Sequence, residues 1–120
     1  MSRYVDGFVL PVPKANIKEY QRLAKAMGKI FVEHGALEVV ETLEDDVKPG
    51  QWTSFPQSVK LQEDEVVVFS WITYKSRAQR DKANRKVMTD PRVLKMMEMK
   101  NHPFDPKRMI YGGFKTIVHI

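Results

Sequence analysis

The sequence predicts an α+β domain in which strands and helices follow in the order βαββαβ. Three observations carry that expectation. Val66 to Tyr74 is a run of apolar, β-branched and aromatic residues, the composition of a strand buried on both faces. Ile17, Tyr20, Ala24, Met27, Phe31 and His34 recur at steps of three and four, which is one face of a helix. Ser76 followed by Gln79 is a capping box, the opening of a second helix.

The remaining elements fall around these. Residues 4–12 read as the first strand, ended by Pro11 and Pro13. Asn16 and Glu19 form an Asn version of the capping box, so the first helix is expected over residues 16–34, with Gly35 as its left-handed stop. Residues 36–47 alternate: Leu37, Val39 and Leu43 share one parity, and Glu38, Thr42 and Glu44 the other. That pattern predicts the second strand. Residues 48–64 hold Pro49, Gly50 and Pro56 and read as a long loop, a kind that is often functional or mobile. The second helix is expected over residues 77–89. Asp90 and Pro91 then cap and start a further short helix. Pro103 and Pro106 bracket a turn. Met109 to His119 reads as the last strand, where Gly112 and Gly113 mark a bulge or a close backbone approach.

Four strands with two crossover helices make the ferredoxin-like arrangement, an antiparallel four-stranded sheet with its helices on one face. Both parities of the third strand are apolar: Val66, Val68 and Ile72 on one, Val67, Phe69 and Trp71 on the other. The uncovered face therefore needs a partner, and a second copy of the chain in a closed two-fold homodimer is the expected one. Trp52 and Phe55, in the long loop, either fold over a pocket as a lid or pack against that partner, and packing is the preferred reading.

Length and composition bound the rest. The chain has 120 residues, the size of one domain spanning residues 1–120. With no cysteine it can form no disulfide and carry no thiolate chemistry, which fits the cytoplasm. No stretch reaches the roughly 18 apolar residues of a membrane span, and the N-terminus has no leader pattern. The formal net charge is +5, with a basic run from Lys75 to Lys86. No nucleic-acid or phosphate-binding motif accompanies that run, so it argues for a solvated surface rather than a nucleic-acid site.

Four blocks resemble a known family. They are Tyr4 to Pro13 (YVDGFVLPVP), Phe69 to Asp81 (FSWITYKSRAQRD), Met88 to Arg92 (MTDPR) and Phe104 to Phe114 (FDPKRMIYGGF). Together, and in this order, they resemble the YbaA-like family of uncharacterised bacterial proteins. The resemblance implies the dimeric α/β-barrel fold, in which two such sheets pack face to face. Catalysis is left open by that likeness; if the protein is an enzyme, the chemistry implied is cofactor-independent oxygenase or isomerase chemistry. No catalytic set comes with the family.

The residues themselves nominate candidates. His34 ends the apolar stripe of the first helix and is expected to face the sheet, where it could act as an acid or base. Helix-terminal histidines also simply bond the last carbonyls. Asp6 lies between Tyr4 and Phe8 on one strand parity, so it is either a carboxyl of raised pKa, the partner of an arginine, or an ordinary rim residue. Arg77 can pair with Asp81 at i, i+4, and Arg80 could bind a carboxylate or phosphate. Trp71, Tyr74 and Tyr111 could cradle a flat ligand or serve as packing. His102 and His119 lack any metal-ligand spacing, and no cofactor or metal is expected. The sequence thus points to a small dimer that binds a small, anionic organic molecule in or beside the barrel. His34, Asp6 and Arg80 are its candidate catalytic groups, and a non-catalytic scaffold is the alternative.

Overall fold

A computed structural model describes residues 3–99 and 101–120. In chain order the elements are β1 (Tyr4–Pro13), α1 (Ile17–Glu33), β2 (Glu38–Leu43), α2 (Phe55–Ser58), β3 (Glu65–Tyr74), α3 (Arg77–Met88), α4 (Pro91–Met97) and β4 (Ile110–Lys115). Short 3-10 turns lie at Lys14–Asn16 and Pro106–Arg108. The four strands make one antiparallel sheet of order β2-β3-β1-β4, which is the expected ferredoxin-like topology.

The register decides what each side chain faces, because directly opposed residues share a sheet face. β1 and β3 pair from Tyr4 opposite Tyr74 to Pro13 opposite Glu65. Tyr4, Asp6, Phe8, Leu10 and Val12 therefore lie on the side of Val68, Ser70, Ile72 and Tyr74. That is the helix side. Leu10, Val12 and Val68 pack there on Tyr20 of α1, with Phe104 and Met109 against them. Ile72 and Tyr74 pack with Ala36 and Ala83 of α3 toward the other end. Ile30, Val87 and Val93 join α1, α3 and α4 into a satellite core.

The opposite face carries Val5, Val9, Val40, Val67, Phe69, Trp71, Ile110 and Phe114. Val59 and Leu61, just after α2, cover Val9 and Val67 at one end. Phe55 reaches the Phe69 ring with centroids 5.8 Å apart, and Phe69 meets Trp71 at 5.5 Å. The rest is open: Phe69 is 43% and Phe114 64% exposed. The molecule is only 20 Å thick along its shortest axis, the depth of one sheet and one helix layer.

Several expectations need correction. β1 runs through Pro11 to Pro13 rather than ending there. β4 pairs with β1 only as far as Val9. Beyond Val9, β1 has a strand on one side only, the place where a missing N–H costs no ladder bond. Asn16 does not cap α1; a 3-10 turn leads into the helix, and the Asn16 amide instead donates to the Pro103 carbonyl at 3.2 Å. The long loop contains a helix, α2, whose Ser54 cap accepts the N–H of Gln57. β2 and β4 are each six residues long, shorter than expected. Gly112 and Gly113 pair in unbroken register, so the reason for Gly113 is close approach: a side chain there would run into the Tyr4 ring.

One buried ion pair secures the end of the sheet. Arg108 grips Glu65 in a two-pronged fork at 2.7 and 2.6 Å, and its Nε donates to Asp105 at 3.1 Å. Arg108 also donates to the Lys60 carbonyl at 3.0 Å. The hydrogen bonds from Arg108 hold the Glu65 carboxyl below its usual value of 4.5, so the pair's stabilisation is present above that pH and is lost as pH falls through the lowered value. Arg108→Ala strands Glu65 without its cation, and urea unfolding at pH 7 is expected to lose about 3 kcal/mol.

Candidate functional site

Asp6 and Arg80 meet. Asp6 projects from the helix face of β1, and Arg80 lies one turn into α3, which Ser76 starts by accepting the N–H of Gln79. Arg80 Nη1 donates to Asp6 Oδ1 at 2.7 Å, and its Nε to Asp81 Oδ1 at 2.8 Å. Nη2 donates to Tyr4 Oη at 3.3 Å, and the guanidinium lies 4.9 Å from the Tyr4 ring centre. Tyr74 is fully buried beside them and donates to Asn84 at 3.5 Å. Burial raises the Asp6 carboxyl above its ordinary value, and the Arg80 charge and hydrogen bond oppose that rise. Burial, and then the Asp6 charge, push the Tyr74 hydroxyl up. The cluster is closed: among the described residues no buried side-chain nitrogen or oxygen lacks a partner. Its chemistry is that of a rivet between α3 and the sheet centre.

The other sequence candidates do not join it. Arg77 pairs with Asp81 at 3.9 Å on the exposed side of α3. Trp71 lies opposite Gly7, on the open face of the sheet. Tyr111 shares the helix side and stacks on Phe8 at 6.2 Å, but it is 72% exposed. His34 turns away from the sheet toward α4. Its Nε2 meets Asp90 Oδ2 at 2.8 Å, and Arg92 links Asp90 (2.8 Å) to Glu33 (2.6 Å). The hydrogen bonds from Arg92, then from His34, hold the Asp90 carboxyl far below the usual range. Asp90 also caps α4 through the Arg92 N–H. His34 is thus part of a clamp between helices, and the three catalytic candidates do not converge on one cavity. Among the described residues no group of three or more His, Cys, Asp or Glu could hold a metal.

The cavity lies elsewhere. An open groove of about 870 Å³ runs between α1 and β2, within the size range of small-molecule sites. Ile17, Ala24, Val39, Leu43 and Val68 make its apolar walls, and Lys25 and Lys29 line it from α1. Gly28 lets the helix close onto the strand: a Cβ there would stand 3.3 Å from Val39 Cγ1. Inside, Tyr20 Oη donates to Glu41 Oε1 at 2.6 Å. Burial raises the Glu41 carboxyl, while bonds from Tyr20 and Ser70 oppose the rise. Burial and the Glu41 charge push the Tyr20 hydroxyl far above its usual range.

Sequence reasoning missed this group, although a signal existed. Glu41 occupies the parity of Leu37, Val39 and Leu43, and Ser70 that of Val68 and Ile72. A polar residue on an apolar parity needs a partner, and the register sets these two opposite each other. Tyr20 was hidden by its ring, which fits the apolar stripe of α1.

Comparison with known proteins agrees with the family resemblance. The chain is 48% identical over 116 residues to "Uncharacterized protein YbaA" of Escherichia coli K12, covering 97% of both chains. The Shigella flexneri protein of that name matches equally. In structure the chain is similar to a dimeric ferredoxin-like protein from an uncultured marine organism, with a TM-score of 0.57, 8% identity and full coverage of both chains. It is also similar to Rv0793 from Mycobacterium tuberculosis, with a TM-score of 0.53 and 13% identity over 98% of both chains. These two likenesses support the fold. The family described as "Protein of unknown function (DUF1428)" matches residues 3–106, and the chain belongs to that family.

Proposed function

We propose that this protein works as a homodimer, closed through the open faces of two sheets, and that it binds a small organic molecule. The observation that carries the proposal is the apolar face left by β1, β2, β3 and β4, with Phe69, Trp71, Ile110 and Phe114 at its surface. Strands spaced about 4.8 Å apart at about 3.3 Å per residue, ten residues long in β1 and β3 and six in β2 and β4, give a face of roughly 500 Å² in projection. That is more than half of the roughly 800 Å² per partner buried in stable interfaces. The neighbour described as a dimeric ferredoxin-like protein supports a dimer.

Binding is supported by the α1–β2 groove, which is large and sets apolar walls among polar and charged side chains of α1 and β2. Catalysis by His34, Asp6 and Arg80 together has no support in the geometry. The closed Asp6–Arg80 network instead favours a second reading, a scaffold whose buried charges only hold it together. Native mass spectrometry of the protein purified from its host separates the two. A dimer that carries a small molecule is expected. A dimer consistently bare after gentle purification favours the scaffold.

A further inference from the structure

We propose that the α1–β2 groove takes an organic acid built on a hydroxylated ring, with its hydroxyl on Glu41, its ring on the apolar walls and its carboxylate near Lys25 and Lys29. The inference rests on the small-molecule half of the proposed function and is independent of the dimer, because one chain builds the whole groove.

Glu41 selects a hydrogen-bond donor. A carboxylate offers about four acceptor positions, and Tyr20 and Ser70 use two of them. Among the described residues no Lys, Arg or His pairs with Glu41. The Glu41 side chain is accessible in the open groove, so its spare acceptor positions, with no cation on them, can take an O–H from a ligand. Burial also raises its proton affinity, which strengthens the bond to an acidic hydroxyl such as a phenol or enol.

The lysines select the other end. Lys25 and Lys29 are i, i+4 neighbours on the rim of α1, neither forms an ion pair among the described residues, and the carboxylate of Glu33, which also lines the groove, is held by Arg92. Tyr20, Ala24 and Gly28 form the adjacent stripe that leans on β2. At about 1.5 Å rise per residue, Lys25 stands roughly 7.5 Å along the helix axis from Tyr20, the span of one ring substituted at both ends. The walls between are Ile17, Ala24, Val39 and Leu43, which suit a flat apolar body. A ligand with only a cationic group would satisfy Glu41 but meet two lysines at the rim.

The test is an NMR titration of the full chain with 4-hydroxyphenylacetate and, separately, phenylacetate. The hydroxylated acid is expected to shift the amides of Ala24, Gly28, Val39 and Leu43, and to bind at least about tenfold tighter than phenylacetate. Glu41→Gln removes the anionic acceptor and keeps an amide oxygen for Tyr20, so the affinity gap between the two acids is expected to narrow. The double variant Lys25→Ala/Lys29→Ala is expected to weaken both acids alike and to flatten their salt dependence. Equal affinity of the two acids for the unmodified protein, or no groove shift at millimolar acid, overturns the proposal. A co-purified molecule that shifts residues outside the groove overturns this site and leaves the proposed function standing. A bare protein that neither acid shifts removes both this site and the small-molecule half of the proposed function.

Discussion

Arg80→Met is expected to lose about 3–5 kcal/mol of stability at pH 7, the range for removing one partner of a buried pair. Asp6, 6% exposed, keeps its place on β1 but loses its cation. Burial already raises its carboxyl with Arg80 present, and without Arg80 nothing of comparable strength opposes that rise. A carboxyl whose folded pKa lies above its unfolded value adds stability that is fully present below the unfolded pKa. That stability is lost as pH rises through the folded one. The deficit against wild type is therefore expected to be largest near neutrality and to shrink toward pH 4. Other carboxylates are held low, such as Glu65 and Asp105 by Arg108 and its neighbours, and weaken the fold in acid. They do so in both proteins and cancel in the difference. Urea unfolding of both proteins at pH 4 and pH 7 checks this. A deficit that does not change with pH would mean that the Asp6 charge is not its source. Asp6→Val/Arg80→Met, which removes both charges, is expected to recover most of the loss.

Phe69→Glu is expected to split the proposed dimer with little harm to the subunit. Phe69 lies at the middle of the open face, touching Phe55 and Trp71, and is accessible in the single chain. A glutamate there stays solvated in the free subunit. In a two-fold assembly, however, two copies are desolvated without a cation. Each such charge costs several kcal/mol, so the dissociation constant is expected to rise by at least about a hundredfold. Sedimentation across a concentration series measures the change, and circular dichroism reports whether the subunit remains folded. A variant that stays dimeric at all concentrations would place the interface on another face.

The two variants draw on parts of the structure that differ in how plainly the sequence announces them. β3 and α3 are legible because their signals are local: an unbroken apolar run, and a serine cap with a glutamine three residues on. α1 shows its period as clearly, but not its start. Asn16 has the right chemistry for a cap, and the backbone enters through a 3-10 turn that sends its side chain to Pro103 instead. α2 is four residues long and has no period to detect. Asp6 and Arg80 each stand out alone, as a carboxylate between aromatics and a cation at a helix start. Their union spans 74 residues of chain and is fixed only by the fold. The groove lies further out of reach, since Tyr20, Ser70 and Glu41 belong to three elements and are joined only by the packing of α1 on β2 and β3.

Every reading of the open face depends on two chains meeting there. Equilibrium sedimentation of the unmodified protein at micromolar concentration tests this most directly. The expected result is one species of twice the 14.0 kDa chain mass. A single 14.0 kDa species at those concentrations would contradict the face-to-face assembly and leave the sheet's apolar face unexplained.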